Sequence, residues 1–193
     1  MANAHMRTDP EIDAYKKRHP SGTKARLALA LLLYTAQRRG DVMGWQHLKE
    51  GRLRVAQNKT GAELELKLHP DLEIELSVLA KDNLTFLTTE YGAPFSEAGF
   101  GNWFRDRCNE AGLTGCSAHG LRKAAARQVA EAGMSADIIK SVTGHTNLKT
   151  LSIYTNAADQ KRLSDMGIVA IGGSESEHNL TNPKIKLDKK GAK

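Results

Sequence analysis

Strand-like alternation of polar and apolar residues is confined to one part of this 193-residue chain, which limits any sheet to a small one among helices. Residues 52–55 (RLRV) and 63–68 (ELELKL) both alternate, and the turn-forming run NKTG at 58–61 lies between them. These segments predict an antiparallel β-hairpin. A further strand is predicted around Thr85 to Leu87.

The other periodic segments have helical spacing. Lys24 to Thr35 places Leu27, Leu31 and Tyr34 on one face, and a polar turn then leads into a second short helix. Later helices are predicted over Pro70–Lys81, around 100–108, and over His119–Ala132, Ala136–Val142 and Leu148–Ala158. The predicted fold class is therefore α+β, mainly helical, with a small antiparallel β-sheet on one side.

Composition restricts the class of protein. Twenty-eight Lys and Arg against 22 Asp and Glu give a net charge of +6, which permits a polyanionic partner without establishing one. The longest apolar run, 27–34, is far shorter than the roughly 20 residues of a membrane helix, and no secretory leader precedes it. Two cysteines are too few for a disulfide framework, so we expect a cytoplasmic protein with no membrane partner.

Metal and nucleotide cofactors are not expected. The seven histidines are scattered without an HExxH pattern, and neither Cys108 nor Cys116 belongs to a paired CxxC motif. No GxxxxGK[ST] phosphate loop occurs, and Gly99 to Gly101 lacks the spacing of a dinucleotide fingerprint.

Three parts of the chain are expected. Residues 1–6 (MANAHM) resemble vector-derived residues. We therefore expect that the natural start lies upstream and that the chain is a fragment. Residues 7–171 are expected to form the folded domain. Residues 172–193 mix Gly, Ser, Glu, Asn and Lys with little periodicity, which predicts a tail that is mobile or ordered only by a partner.

Two spacings suggest a site for an anion. His119 and Arg122 are three residues apart, so they share a helical face near a helix start, where the dipole favours anions. His145 follows Gly144 at the end of a predicted helix, and Tyr154 comes nine residues later. Taken alone, the first pair is more often a solvated helix face, because the HxxR spacing also occurs by chance. A capping histidine and a half-buried core tyrosine explain the second.

Arg38 follows the apolar helix and precedes Asp41 by three residues, so the carboxylate could hold the guanidinium in place. An ordinary surface ion pair would have the same spacing. Lys59 lies in the predicted hairpin turn, where an exposed lysine is usually only a soluble turn residue.

The order of these residues resembles the tyrosine recombinase family, the phage-integrase-like site-specific DNA recombinases. Matching segments are TAQRRGDVMGW around Arg38, NKTG around Lys59, HGLRKAAA from His119 and TGHTNLKTLSIY up to Tyr154, and the resemblance runs from about Thr23 to about Ala170. The chain departs from the family at Ala36-Gln37, where Gly-Leu is frequent. Arg39 competes with Arg38 as the first arginine, and Lys49 and Lys67 are possible substitutes for Lys59.

The resemblance implies a mechanism of DNA cleavage without metal or nucleotide. It assigns Tyr154 as the nucleophile, His119 as its proton acceptor and His145 as a hydrogen-bonding partner of the phosphate. It assigns Arg38 and Arg122 to stabilise the added negative charge, with Asp41 in support, and Lys59 to protonate the leaving 5′ oxygen.

The resemblance also implies partners. A 3′-phosphotyrosyl link would form, and four protomers would exchange strands of two DNA duplexes through a Holliday junction. Family members carry an N-terminal DNA-clamping domain, to which nothing here corresponds, and they often dock a helix like residues 158–171 on a neighbouring protomer; packing within one domain is equally open. Candidate contacts to double-stranded DNA are Arg52, Arg54, Lys123, Arg127 and Lys149.

Two other functions remain open. A type IB topoisomerase uses similar chemistry but relaxes supercoils, although HGLR followed by GHT favours the recombinase. A non-catalytic DNA-binding or assembly module would keep the fold without the reaction, and the intact tyrosine and arginines argue against it.

Overall fold

The predicted fold class is confirmed by the computed structural model, which describes residues 5–44, 48–78, 85–145 and 148–171. In these residues eight helices accompany one three-stranded antiparallel sheet of order β1-β2-β3. The elements are α1 Asp9–Arg18, α2 Lys24–Tyr34, α3 Arg39–Val42, β1 Leu48–Lys49, β2 Arg52–Ala56, β3 Glu63–Lys67, α4 Pro70–Ser77, α5 Glu97–Glu110, α6 Ala118–Glu131, α7 Ala136–Thr143 and α8 Leu148–Ala170.

Helix α2 lies at the centre of the core. All eight of its residues at positions 25 and 27–33 are buried, which requires neighbours on every side. Helices α4, α5 and α6 pack around it. A second, smaller cluster joins α6, α7 and α8 through Ala126, Ala130, Ile139 and Leu151. This smaller cluster attaches the helix that carries Tyr154.

The sheet contains the predicted hairpin. Leu53 pairs with Leu66 and Val55 with Leu64, which places their side chains on the face that packs against the core. The strand predicted at Thr85 to Leu87 is wrong: these residues are buried but form no ladder, and Thr85 Oγ1 donates to the Leu87 carbonyl at 2.7 Å. Such local hydrogen bonds compete with sheet pairing. The third strand is β1 instead.

Helices α1, α4 and α8 differ most from the sequence prediction. Helix α1 was not expected, although Thr8 and Glu11 form a reciprocal capping box and a proline stands in its first turn. Helix α4 ends at Ser77, and part of its predicted extension, 79–81, lies outside the described residues. The predicted helix Leu148–Ala158 is the first half of α8, which continues without a break to Ala170.

The segment before α1 is held against α6. The Arg7 side chain is 0% exposed, and its backbone N–H donates to the Gly120 carbonyl at 3.3 Å. Gly120 lacks room for a Cβ, because that atom would overlap the His5 carbonyl oxygen. Residues 1–4 and 172–193 lie outside the described residues, so the expected division of the chain stays a prediction.

None of the helices in the described residues is long and apolar enough to cross a membrane.

Candidate active site

The loop after α2 brings Arg38 to the end of the β2–β3 hairpin. Ala36 adopts a left-handed conformation, with φ at 53°, which turns the chain sharply out of the helix. Arg38 Nη1 then donates to Gln57 Oε1 at 3.2 Å and lies 4.0 Å from Asp41 Oδ2. The buried Asp41 also accepts from the Asn58 backbone N–H at 2.9 Å. Asp41 therefore ties the arginine loop to the hairpin turn.

Arg39, the competing first arginine, points away from this site. Its Nε donates to Glu97 Oε1 at 3.1 Å on helix α5, and nearly half of its side chain is exposed. Arg38 is thus the guanidinium that the loop directs towards the hairpin and α7.

Arg122 lies on α6 with only 2% of the residue exposed. Its Nη1 donates to the Ala36 carbonyl at 2.7 Å, whereas Nη2 is buried with no hydrogen-bond partner in the described part of the chain. Burial, followed by the positive charge of Arg38, lowers the pKa of Arg122 to about 10. A buried donor without an acceptor is unfavourable unless a ligand supplies one.

His145 is oriented by Thr143. The Thr143 hydroxyl donates to the Ile139 carbonyl at 2.7 Å, and His145 Nδ1 lies 2.7 Å from the same hydroxyl oxygen. Because a hydroxyl has one proton and the carbonyl can only accept, we assign the second hydrogen bond to an Nδ1–H donor. The neutral imidazole therefore keeps a lone pair on Nε2.

The site favours the neutral form of both imidazoles. Burial, then the charges of Arg122 and Arg38, lowers the pKa of His145 to about 4. Loss of solvent around the ring, with the charges of Lys123, Arg122, Arg38 and Lys59, lowers the pKa of His119 below 6.5. Lys59 itself is exposed in the hairpin turn, near enough for its charge to act on His119. Neutral imidazoles can accept protons.

Tyr154 is half-buried on α8, one turn beyond the fully buried Leu151. Burial raises the pKa of its phenol, and the charge of Arg122 acts in the opposite direction. The side chain borders a groove of about 1220 Å³ between α6 and α8, together with Lys123, Lys161 and Arg162. The groove thus combines the phenol with several positive charges.

The predicted DNA contacts differ in availability. Arg52 and Arg54 are exposed on β2, and Arg54 stands opposite Glu65 on β3. Arg127 binds two carboxylates, that of Asp9 at 2.5 Å and that of Glu131 at 2.6 Å. Lys123 borders the groove beside Tyr154, and the Lys149 side chain lies outside the described residues.

Among the described residues, one group of side chains has the proximity of metal ligands: atoms of His5, Glu11 and Cys116 all lie within 4.8 Å of one another. It contains none of the predicted site residues. Burial raises the pKa of the Cys116 thiol, which disfavours the thiolate that binds metals. Cys116 and Cys108 are both buried and free.

The structure therefore brings most of the predicted residues to one place. Arg38, Arg122, His119 and His145 perturb one another electrostatically, Tyr154 acts on Arg122, and Lys59 acts on His119. This arrangement can bind an anion between two guanidiniums, with a phenol and two neutral bases nearby.

The model of the phage integrase family matches residues 10–161. The chain belongs to the phage integrase family. The predicted resemblance is thereby confirmed. No curated protein sequence matches the chain.

Solved structures show the same fold. The chain is similar to the lambda integrase catalytic core, with 27% identity, a TM-score of 0.59, and coverage of 74% of this chain and 92% of that one. It is similar to a lambda integrase tetramer bound to a Holliday junction, with 25% identity, a TM-score of 0.63, and coverage of 78% and 47%. XerA recombinase shares the fold, with 19% identity, a TM-score of 0.70, and coverage of 84% and 65%. The chain spans 61% and 47% of the lambda integrase chains in two dimers bound to a COC′ core site.

One residue of this integrase-family site was missed from sequence. Gln57 touches the arginine loop, the hairpin turn and the end of α7, yet a glutamine at the end of a strand carries no distinctive pattern. Its position two residues before Lys59 was the only available signal.

Proposed function

We propose that this chain is the catalytic domain of a site-specific DNA recombinase, an enzyme that cleaves and rejoins DNA strands through a tyrosine. The observation that carries the proposal is the buried Arg122, whose Nη2 has no partner among the described residues and whose charge faces that of Arg38. Asp41 is the buried carboxylate that acts on both guanidiniums. The remaining positive charge suits a phosphodiester, whose non-bridging oxygens accept from both arginines.

In the proposed reaction, the Tyr154 oxygen attacks the phosphorus and the bond to the 5′ oxygen breaks. The phenol must lose its proton, and burial raises its pKa, so a nearby base is needed. His119 takes that role in the proposal, because its lowered pKa keeps the imidazole neutral and able to accept. The charge of Arg122 favours the phenolate as it forms.

The leaving 5′ oxygen takes a proton from Lys59, giving a free hydroxyl and a 3′-phosphotyrosyl link. Attack by a 5′ hydroxyl from a second strand reverses these steps and joins the strands, so no nucleotide is consumed. His145 donates to the phosphate only when Nε2 is protonated, since Nδ1–H is held by Thr143. An arriving phosphate raises the pKa of His145 and so promotes that proton.

The partners follow from the same proposal. Lambda integrase has been solved as a dimer bound to a core site and as a tetramer bound to a Holliday junction. By analogy, the proposed partners are double-stranded DNA and three further protomers. The net charge of +6 and the two lysines that border the groove beside Tyr154, Lys123 and Lys161, support the DNA partner. The cytoplasmic location stays a prediction.

Covalent trapping tests the proposal. Duplexes from the DNA flanking the encoding gene are first selected for binding by the Tyr154→Phe variant. The bound duplexes are then nicked just downstream of each candidate cleavage position, so that the short 5′-hydroxyl product diffuses away and the adduct persists. Mass spectrometry should find DNA on Tyr154 in the unaltered chain and no adduct in the variant.

Two results would replace the proposal. Bound duplexes that give no adduct at Tyr154 would favour a non-catalytic module. An adduct accompanied by relaxation of plasmids irrespective of sequence, without joining of two sites, would favour a topoisomerase.

A further inference from the structure

Gln57 closes the hairpin turn that carries Lys59. Its backbone N–H donates to the Ala62 carbonyl at 2.9 Å, and its carbonyl accepts from the Gly61 N–H at 2.8 Å. The side chain is 1% exposed and points into the domain rather than along the exposed turn. Backbone hydrogen bonds thus form the turn, and the side-chain amide of Gln57 is available to connect the turn to other segments.

The Gln57 amide forms all four hydrogen bonds that its chemistry allows. Oε1 accepts from Arg38 Nη1 at 3.2 Å and from Thr60 Oγ1 at 2.6 Å. Nε2 donates to Gln37 Oε1 at 2.5 Å and to the Thr143 carbonyl at 2.8 Å. A primary amide has two lone pairs on oxygen and two N–H groups, so no capacity remains.

The orientation of this amide is determined by its partners. A guanidinium can only donate and a backbone carbonyl can only accept, so the oxygen must face Arg38 and the nitrogen must face Thr143. A flipped amide would place two acceptors together at Thr143 and two donors together at Arg38. One rotamer therefore satisfies every contact.

These contacts join three segments that carry proposed site residues. The first is the arginine loop, through Arg38 itself. The second is the hairpin turn, through Thr60 next to Lys59. The third is the end of α7, where Thr143 orients His145 and where a Cβ at Gly144 would overlap the Gln57 amide.

We propose that Gln57 is a positioning residue that docks the Lys59 turn onto Arg38 and the end of α7, and so places the proton donor for the leaving 5′ oxygen. This inference rests on the proposed strand cleavage. Lys59 is exposed in the turn, whereas Gln57 is fully buried two residues earlier, so its side chain provides the anchorage. Misplacement of a reacting group by about 1 Å can slow a reaction about 100-fold.

The chemistry of the leaving group tests this role. Nicked substrates are prepared with the ordinary 5′-bridging oxygen and with sulfur in its place, because a thiolate leaves without a proton donor. With oxygen, Gln57→Met and Lys59→Ala are expected to form the Tyr154 adduct about 10- to 100-fold more slowly than the unaltered chain. With sulfur, both variants should approach the unaltered rate, whereas Arg38→Ala should stay slow.

Gln57→Glu provides a second variant if Gln57→Met does not fold, as judged by circular dichroism and the thermal midpoint. The carboxylate keeps acceptors for Arg38 and Thr60 but has no N–H to donate to the Thr143 carbonyl, so it breaks the contact between the turn and α7. With the oxygen substrate its adduct should form about 10- to 100-fold more slowly than that of the unaltered chain, and with sulfur it should approach the unaltered rate. Asn102→Asp, the same amide-to-acid change at an exposed position on α5, should show no such loss.

The outcomes separate two failures. If the unaltered chain forms no adduct with either substrate, the proposed function fails. If it does form one, but Gln57→Met is as fast as the unaltered chain or stays slow with sulfur, the positioning role of Gln57 is wrong. Either of these two results for Gln57→Glu would overturn it as well.

Discussion

Protonation of His145 should destabilise the folded chain. A histidine with a pKa of about 4 in the fold and 6.5 when unfolded binds more protons in the unfolded state between those values, so the free energy of unfolding falls as pH falls. Two-state titration with these values gives a loss of about 2 kcal/mol between pH 7 and pH 5 and about 3 kcal/mol in total. Urea denaturation at each pH, followed by circular dichroism, measures it.

The matched variant is His145→Asn, whose amide N–H can still donate to Thr143 but does not titrate. It should lose about 2 kcal/mol less than the unaltered chain over the same interval. The measurement stops at pH 5 because carboxylates with lowered pKa values, such as Glu11 at about 2, contribute at lower pH. In the variant, the remaining dependence of the unfolding free energy on pH is assigned to His119, whose pKa is lowered in the fold in the same direction. Equal losses in both proteins would refute the reasoning.

Four substitutions give further tests. Arg39→Ala should change the unfolding free energy by less than about 1 kcal/mol and adduct formation by less than about twofold, because the Arg39 ion pair is exposed. Arg38→Ala, in contrast, should slow adduct formation at least about 100-fold. Arg122→Met should abolish the adduct in the trapping assay, because it removes the buried guanidinium beside Arg38. Gly144→Ala should lower the thermal midpoint, at a cost of at least about 2 kcal/mol, because its φ is +68° and the new Cβ would overlap Gln57. An unchanged midpoint would contradict that geometry.

Local patterns predicted the elements that local physics determines. The β2–β3 hairpin follows from two alternating segments around NKTG, and α6 and α7 follow from helical spacing with flanking serines and glycines. The two-residue strand β1 has no such pattern, since it forms only by pairing with β2. Helix α1 does have a local signal in the sequence, the capping box of Thr8 and Glu11.

The candidate site likewise combines features that local sequence patterns predict with features that only tertiary contacts determine. Arg38, His119 and Arg122 were located by motif spacing, and the structure brings them together with His145. Side-chain chemistry could not distinguish Arg38 from Arg39, because both are arginines in one polar turn. Their different roles depend on their partners, since Arg38 binds Gln57 and Arg39 binds Glu97. Such pairings across distant segments depend on tertiary structure.

Helix α8 extends well past Tyr154. Leu151 is 0% exposed, whereas every residue from 161 to 171 is exposed, so the distal part of the helix has little packing to stabilise it. A short helix supported only by its own hydrogen bonds is marginal in water. Amide hydrogen exchange should therefore be slow around Leu151 and Tyr154, at rates set by opening of the whole domain, and fast beyond Lys161, where the helix frays locally. The proposed nucleophile thus lies in the last part of α8 that packs against the domain. The helix continues without a break beyond it, but that distal part is less stable.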